Sequence, residues 1–252
     1  MRPRAVAIVG LGLVGGSLAR ALTRAGYRVL GVDRPGVVRR ALRARAIAAA
    51  DTLEGAAREA SLVVLAAPPS ANRRLLARLA RSGPPSLVVT DVTSVKAPIC
   101  REAARLGLVG FVGGHPMAGT ERSGFTASSA SLFQGRPWIL VTDGASTSAV
   151  SRVRALVRAA GARPVVMAAA EHDRAMAFLS HLPQVVAWAL DEAVRGDRVA
   201  ARHLAAAGPA FADMTRLARS PRPLWREILA ENRTEVARAL RALRAALSRR
   251  AM

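Results

Sequence analysis

The sequence predicts an α/β domain with a mostly parallel sheet over residues 1–168, followed by an all-helical domain over residues 169–252. Two observations support this division. In the first part, short apolar runs rich in β-branched residues alternate with helix-like segments, which is typical of parallel strands buried on both faces. After about residue 169 the strand-like runs stop, and only amphipathic helical patterns follow.

The predicted strands are short, continuous apolar runs. They lie at residues 5–10, 27–33, 61–69, 86–92, 108–114, 136–143 and 162–168. The first strand leads into a helix that we expect from about Gly15 to Ala25. The long helical pattern that begins near residue 169 should bend or break at Pro183, because proline lacks the N–H that an α-helix needs.

The composition bounds the class of protein. The chain has 252 residues, of which 51% are hydrophobic, enough for one large domain or two moderate ones. Its apolar runs are too short to cross a membrane, and the N-terminal run follows a strand–turn–helix pattern, unlike a signal peptide. Cys100 is the only cysteine, so we expect no intrachain disulfide and a cytoplasmic protein. The formal net charge of +21 comes mainly from scattered arginines, so we expect neither a nucleic-acid nor a membrane partner.

The segment GLGLVG at residues 10–15 connects the first predicted strand to the first predicted helix. Gly10, Gly12 and Gly15 permit a tight turn, close approach of a pyrophosphate and close packing of the helix on the strand. The backbone around Leu13 and Val14, at the helix N-terminus, would face the phosphates. This pattern predicts a Rossmann-type dinucleotide site.

Asp33 ends the second predicted strand, about 20 residues after Gly12. A carboxylate there can hydrogen-bond the ribose hydroxyls and repels a 2′-phosphate, which favours NAD over NADP. The neighbouring Arg34 leaves NADP open, because a guanidinium can pair with a 2′-phosphate or merely stack on the adenine. A glycine turn with an incidental aspartate is the plain alternative.

Further candidate residues follow the next predicted strands, because ligands of open α/β sheets bind beyond the carboxyl ends of the strands. On that basis Ala67, Pro68 and Asp91 are assigned to the cofactor site. Ser94 and Lys96 follow in the segment DVTSVK, and Lys96 is the only lysine in a chain that otherwise uses arginine. The alternative is that Ser94 caps the next helix and Lys96 is a solvated first-turn residue.

The segment GGHPMAGTERSG at residues 113–124 places His115 between a glycine pair and a proline. Glycine lets the backbone turn and proline stiffens it, so we expect an exposed but fixed histidine in a loop after the strand. Taken alone, such a loop favours a surface turn with an incidental histidine. Its place after a strand, together with Ser94 and the predicted cofactor, favours an acid or base instead.

In the helical domain, His181 and Gln184 lie three residues apart on one predicted helix face. Their apolar neighbours indicate partial burial, although a solvated face is the alternative. Arg216 can hold a carboxylate through paired, charge-assisted hydrogen bonds, and Asp213 and Trp225 flank it in the sequence.

The remaining histidines, His172 and His203, have no comparable context, and we expect both at the surface. No cluster of histidine, cysteine and carboxylate residues has the spacing of a metal site, so no metal is expected. Cys100 is expected to pack a helix.

Taken in order, the segments GLGLVGGS, VDR, AAPP, DVTSVK, GGHPMAGTERSG, SHLPQ, DMTR and LWREILAENR resemble the prephenate/arogenate dehydrogenase family of tyrosine biosynthesis. The resemblance covers nearly the whole chain. It implies a Rossmann domain, a helical dimerisation domain and an NAD(P)-dependent oxidative decarboxylation. In that reaction hydride leaves the ring carbon that bears the hydroxyl, and loss of CO2 makes the ring aromatic. A homodimer with active sites between the domains is also implied.

The resemblance implies a role for each candidate residue. His115 would accept the proton of the ring hydroxyl as hydride departs. Ser94 would orient His115 and the substrate hydroxyl. Arg216 would bind a substrate carboxylate, and Glu121 would lie at the mouth of the pocket. The residues implied to line or support the pocket are His181, Gln184, Asp213 and Trp225.

We expect prephenate as the substrate and NAD as the cofactor. Arogenate stays open, because family members often have a histidine where Gln184 stands. A related Rossmann hydroxy-acid dehydrogenase and a cofactor-binding protein without catalysis stay open as well.

Overall fold

In this computed structural model the described residues are 5–120 and 122–250. They form two compact units, of which the first ends at His172 and the second begins at Asp173. The sequence predicts the boundary after residue 168, a few residues before the boundary observed in the structure. The first unit contains a mostly parallel sheet and helical segments follow it, so the predicted fold class is confirmed.

Eight strands form a single sheet among the described residues of the first unit. They are β1 (Ala5–Val9), β2 (Arg28–Val32), β3 (Ala49–Ala50), β4 (Leu62–Leu65), β5 (Val88–Asp91), β6 (Phe111–Pro116), β7 (Pro137–Val141) and β8 (Arg163–Val166). Their order is β3-β2-β1-β4-β5-β6-β7-β8. β1 therefore lies inside the sheet, with β2 and β3 on one side of it and β4 to β8 on the other. Neighbouring strands run parallel except β6 and β7, which are antiparallel.

The connections explain these directions, because parallel neighbours need a crossover and helices supply it. The crossover helices are α1 (Leu13–Arg24), α2 (Pro35–Arg43), α3 (Leu53–Glu59), α4 (Pro69–Ser82), α5 (Ala97–Arg105) and α6 (Thr147–Ala159). Between β6 and β7 the described chain has only a three-residue 3-10 turn at Phe125–Ala127. β7 therefore returns antiparallel to β6.

Both faces of the sheet are covered, as the continuous apolar strands predict. Along β1, Val6 and Ile8 enter a hydrophobic cluster with residues of α1, α2 and α6. Ala7 and Val9 enter a second cluster with residues of α3, α4 and α5. Because β1, β2, β4, β5 and β6 are parallel, their carboxyl ends lie at one edge of the sheet, which we call the carboxyl edge.

Two local details differ from the sequence prediction. No strand is predicted at β3, because two residues are too few to leave a periodic pattern. The first helix begins at Leu13 instead of about Gly15, with Gly12 as its N-cap residue.

The described chain after β8 is mainly helical. Its α-helices are α7 (Ala169–Met176), which contains the boundary between the units, α8 (Leu182–Gly196), α9 (Arg198–Arg202), α10 (Pro209–Thr215), α11 (Arg222–Glu231) and α12 (Arg233–Ser248). Within residues 5–120 and 122–250, no helix is both long and apolar enough to cross a membrane.

The predicted break at Pro183 takes the form of a π-helical turn at Ala177–His181, which ends just before this proline. In an α-helix the proline ring would meet the carbonyl group of Leu179, four residues earlier, and a wider turn relieves that clash.

A buried asparagine ties the second unit together. Asn232 Nδ2 donates to the carbonyl oxygen of Asp173 at 2.7 Å and lies 3.1 Å from Nδ1 of His181. The apolar cluster of this unit is small, and its buried members are Ala177, Val236 and Ala239. Buried polar contacts such as those of Asn232 therefore add to a small apolar cluster in holding this unit together.

Candidate active site

Glycines shape the turn after β1 in the way that the sequence predicts. Gly10 has a φ of +96°, in the left-handed region, and a Cβ there would overlap the backbone of Ala66. A Cβ on Gly15 would overlap the carbonyl oxygen of Gly10, so α1 can approach β1 this closely only with glycine. A Cβ on Gly12 would meet nothing within 4 Å, which leaves open space beside the turn.

The N-terminus of α1 adjoins this open space. Gly12 is the N-cap residue, and no side chain caps the first turn, which begins at Leu13 and Val14. The first N–H groups of a helix lack partners within the helix, and they attract negative charge. The turn and the helix N-terminus together fit the pyrophosphate of a dinucleotide.

Asp33 follows β2 at the carboxyl edge and bonds to the glycine turn. Its Oδ2 accepts the backbone N–H of Leu11 at 2.6 Å, and its Oδ1 accepts the backbone N–H of Arg34 at 2.6 Å. The Arg34 side chain is 89% exposed, with Nε 3.9 Å from Asp33 Oδ1. A carboxylate and a guanidinium therefore lie side by side next to the turn.

Asn72, a residue that the sequence patterns did not single out, holds the segment after β4. Its buried side chain accepts the N–H of Ala67 at 3.1 Å and donates to the carbonyl oxygen of Leu65 at 3.1 Å. Pro68 is exposed and is the N-cap residue of α4. The amide of Asn72 thereby fixes the backbone of Ala67 at the carboxyl edge.

Lys96 and Asp91 form a buried ion pair where β5 and β6 end, and neither side chain has any solvent exposure. Lys96 Nζ also donates to Thr93 Oγ1 at 2.9 Å and to the carbonyl oxygen of Gly114 at 2.6 Å. Asp91 accepts the backbone N–H groups of Thr93 and Gly114, at 2.8 and 3.0 Å. We call these four residues the Asp91 cluster. Its charge-assisted hydrogen bonds join two neighbouring strands.

The Asp91 cluster decides between the alternatives for Lys96 and Ser94. The interpretation of Lys96 as a solvated first-turn residue is wrong, because its side chain is fully buried. The interpretation of Ser94 as the cap of the next helix is also wrong. Lys96 is the N-cap residue of α5, and no side chain caps that helix. Ser94 lies half-buried between β5 and α5, at the carboxyl edge. The carboxylate of Asp91 bonds within the cluster, and its contact with a cofactor stays a prediction.

His115 lies in a strand, so the expectation of an exposed histidine in a loop is wrong. It is paired with Ile139 of β7 and is only 8% exposed. The reason is that β7 pairs with β6 as far as Pro116, which continues the sheet beyond the glycine pair. The preceding residue, Gly114, belongs to the Asp91 cluster, so the backbone of His115 is anchored on both sides of the strand.

His172 is the neighbour of His115 that sequence reasoning missed. The expectation that His172 lies at the surface is wrong, because the residue is fully buried and its Nε2 lies 2.8 Å from Nδ1 of His115. The two rings are T-shaped, with centroids 5.1 Å apart. A signal existed in the helical spacing, which places His172 on the same face of α7 as the buried Met176. His203 is exposed, as expected.

The second unit holds the other candidates. His181 and Gln184 are fully buried, deeper than the partial burial expected from their neighbours. The ring of His181 makes a T-shaped contact with Trp225, with centroids 6.0 Å apart. Gln184 Nε2 donates to the carbonyl oxygen of Leu217 at 2.8 Å. His181 therefore packs against Trp225, and Gln184 is bonded to the residue that follows Arg216.

Arg216 begins a 3-10 turn, Arg216–Arg219, and its side chain is exposed. Asp213 is exposed on α10. Glu121, assigned to the mouth of the pocket, lies outside the described residues. Within the part of the chain that is described, no group of three or more histidine, cysteine or carboxylate residues could hold a metal ion.

Comparisons with known proteins identify both units. Residues 18–166 match the family "Prephenate dehydrogenase, nucleotide-binding domain", and residues 168–251 match "Prephenate dehydrogenase, dimerization domain".

Individual relatives agree with the family matches. The chain is 32% identical to the prephenate dehydrogenase of Lactococcus lactis subsp. cremoris, over 90% of this chain and 64% of that protein. It is 34% identical to the prephenate dehydrogenase of Bacillus subtilis, over 92% of this chain and 65% of that protein. The chain thus spans slightly less than two thirds of either relative. The solved prephenate dehydrogenase from A. aeolicus, in complex with hydroxyphenyl propionate and NAD+, is 30% identical, with a TM-score of 0.91 over 99% of this chain and 90% of that chain.

Replacing Lys96 tests the Asp91 cluster. We expect Lys96→Met to lower the free energy of unfolding by about 3–5 kcal/mol, because it leaves the Asp91 carboxylate buried without its cation. Adding Asp91→Asn to the same chain should recover part of the loss, since a neutral amide needs no counter-charge. Urea unfolding followed by circular dichroism measures both changes.

The matched control is Arg195→Met, which breaks the exposed pair with Asp191 on α8. An exposed pair of this kind contributes about 0–1 kcal/mol, so the control should unfold almost like the parent chain. Equal losses for Lys96→Met and Arg195→Met would show that the cluster does not constrain the fold.

Proposed function

The chain belongs to the prephenate dehydrogenase family, and on that premise we propose that it catalyses the NAD-dependent oxidative decarboxylation of prephenate to 4-hydroxyphenylpyruvate. Because the chain spans less than two thirds of the Lactococcus lactis and Bacillus subtilis relatives, activity, substrate and partner are all part of the proposal. The A. aeolicus relative supports it, since that structure is of a complex with NAD+ and hydroxyphenyl propionate.

The first unit supplies features that suit NAD. The open space at Gly12 and the uncapped N-terminus of α1 suit a pyrophosphate, and the carboxylate of Asp33 beside the turn suits a ribose. Ala67 and Pro68 would line the same groove from the end of β4. When bound, NAD+ supplies the acceptor for a hydride.

The observation that carries the proposal is the position of His115 at the carboxyl edge. Parallel pairing from β1 through β4 and β5 to β6 brings the glycine turn, Ser94 and His115 to the same edge of the sheet. An imidazole can accept a proton near neutral pH, and a hydride acceptor bound along this edge would lie close to it. Proton acceptor and hydride acceptor are the two components that oxidation of an alcohol requires.

The proposed reaction balances. The hydroxyl proton of the substrate passes to His115, the hydrogen on the same carbon leaves with its electron pair as hydride, and a carbonyl forms. The bond to the ring carboxylate then breaks, CO2 departs, and the electron pair of that bond makes the ring aromatic. The proton held by His115 returns to the phenolate oxygen. Ser94 would orient the hydroxyl during the first transfer.

The residues that the resemblance assigns to the substrate are in the second unit. Prephenate has two carboxylates, and the exposed guanidinium of Arg216 can hold one of them through two parallel hydrogen bonds. His181, Gln184 and Trp225 would contact the ring or its side chain. Asp213 would support Arg216, and Glu121 is assigned to the mouth of the pocket by the resemblance alone.

Arogenate is the second candidate substrate, and one observation favours it. Gln184 Nε2 donates to Leu217, whereas the buried Oε1 of the same amide has no hydrogen-bond partner among the described residues. A carbonyl oxygen accepts hydrogen bonds, so it suits the ammonium group of arogenate better than the ketone of prephenate.

The exposed apolar residues of the second unit support a homodimer. Large apolar side chains that are more than half exposed are Leu179, Val199, Met214 and Leu247. Such residues often mark interfaces, and the second unit matches the family's dimerization domain. Sedimentation equilibrium should give about twice the chain mass of 26.4 kDa. A monomer at micromolar concentration would rule out a stable homodimer.

The activity test follows NADH or NADPH formation with prephenate and with arogenate, each with NAD and with NADP. Turnover of either substrate supports the reaction class, and the preferred substrate decides between the two candidates. A folded chain that binds NAD but turns over neither substrate would contradict the proposal.

Two substitutions separate chemistry from binding. His115→Asn should lower kcat by about 10²–10⁴-fold and leave the Kd for NAD nearly unchanged, because only proton transfer is lost. Arg216→Ala should chiefly raise KM, because it removes a carboxylate contact. Arg219→Ala, on the same 3-10 turn, is the matched control and should behave like the parent chain. Loss of NAD binding in His115→Asn would mean that the residue is structural.

Asp33→Asn tests the cofactor preference. The amide keeps an acceptor for the Leu11 N–H but removes the charge that repels a 2′-phosphate. We expect the ratio of the Kd for NADP to the Kd for NAD to fall at least tenfold, or about 1.4 kcal/mol. Arg34→Ala in the same background should raise the Kd for NADP again. An unchanged ratio in Asp33→Asn would mean that this carboxylate does not select the cofactor.

A further inference from the structure

We propose that His172 is a positioning residue for His115, which it holds in the tautomer whose Nε2 can accept the substrate proton. The inference rests on the proposed function, because it takes His115 as the base. It concerns a side chain that neither the motifs nor the family resemblance singled out.

The contact between the two histidines is direct. His115 Nδ1 and His172 Nε2 lie 2.8 Å apart, within hydrogen-bond distance. His172 has no solvent exposure, and His115 has 8%. Both residues belong to the first unit, although 57 positions separate them in the sequence. Because both side chains are almost fully buried, water competes little for the hydrogen bond between them.

Both partners are held by their backbones. His115 is paired with Ile139 in the sheet, and the residue before it is bonded to Asp91 and Lys96. His172 lies in the first turn of α7, where its N–H donates to the carbonyl oxygen of Ala168 at 2.9 Å. An imidazole ring in such a position can still rotate about its side-chain bonds. A bond at Nδ1 restricts that rotation for His115.

The position of one proton decides whether His115 can act as a base. A neutral imidazole has one N–H and one acceptor nitrogen. If His115 donates through Nδ1, its Nε2 has a lone pair that can accept the hydroxyl proton. If His172 donates instead, His115 is already protonated at Nε2 and cannot accept that proton. The proposed base therefore requires His172 Nε2 to be the acceptor.

The hydrogen bond between His115 and His172 also stabilises His115 after it has accepted the proton. His115 then has N–H groups at both nitrogens, and the Nδ1–H bond to His172 becomes charge-assisted. A donor that was in place before the reaction needs no reorganisation when the charge forms. His172 itself touches neither the hydroxyl nor the hydride acceptor in this scheme, so it acts only through His115.

The tautomer can be read directly. The chain has only four histidines, so protein labelled with 15N-histidine gives few ring signals in a long-range 1H–15N spectrum. At about pH 8, where an ordinary imidazole is neutral, we expect His115 to be protonated at Nδ1 and unprotonated at Nε2. The His115→Asn chain assigns these signals by their loss. A wild-type His115 protonated at Nε2 would overturn the inference, whatever the activity.

Kinetics test the consequence. His172→Leu removes the acceptor, and we expect kcat to fall about 10- to 100-fold while KM and the Kd for NAD change less than about threefold. His172→Gln offers an amide oxygen near the position of Nε2, so it should recover most of that loss. His203→Leu, at the exposed histidine, is the matched control and should keep the parent kcat.

The outcomes separate this inference from the proposed function. Equal losses of kcat in His172→Leu and His172→Gln, with both chains folded, would contradict the positioning role. The expected tautomer in a chain that turns over neither prephenate nor arogenate would instead contradict the proposed function alone. Turnover together with a His115 protonated at Nε2 would contradict only the role of His172.

Discussion

The buried ion pair of Lys96 and Asp91 is the constraint on which the candidate site depends. Removing two charges from water costs several kcal/mol for each ion, and only good geometry with further hydrogen bonds offsets that cost. An ammonium has three donors, and Lys96 uses them on Asp91, Thr93 and the carbonyl oxygen of Gly114. The planar guanidinium of arginine does not match three acceptors arranged around one nitrogen. This explains why an arginine-rich chain has a lysine here.

The cluster determines where the proposed base lies, because it sets the relative position of the ends of β5 and β6. β5 leads into the loop of Ser94, and β6 contains His115 directly after the bonded Gly114. The antiparallel β7 then covers His115, and α7 brings His172 against its ring. Each added contact lowers the freedom of one imidazole. If His115 is the base, as proposed, an imidazole positioned in this way would lose little entropy when a substrate binds.

The two units are stabilised differently, which bears on their roles. The first has apolar clusters on both faces of its sheet, so its strand ends form a rigid edge. The second has a small apolar cluster, and buried polar groups such as Asn232, His181 and Gln184 connect its helices. Polar groups of this kind suit the recognition of a polar ligand. The net charge of +21 also favours anionic ligands, whether a dinucleotide or a dicarboxylate.

Periodicity and spacing by themselves determined the sheet with its covering helices, the glycine turn with Asp33, and the change to helices near residue 169. These features depend on residues close together in the chain, so a local pattern reports them. Only the tertiary structure decided that β7 runs antiparallel, that Lys96 is buried, and that His172 bonds to His115. The last contact joins residues 57 positions apart, and no local pattern encodes the partner of a buried polar group. Such partners are chosen by the packing of distant elements, because a buried donor or acceptor must be satisfied by whichever group the fold brings beside it.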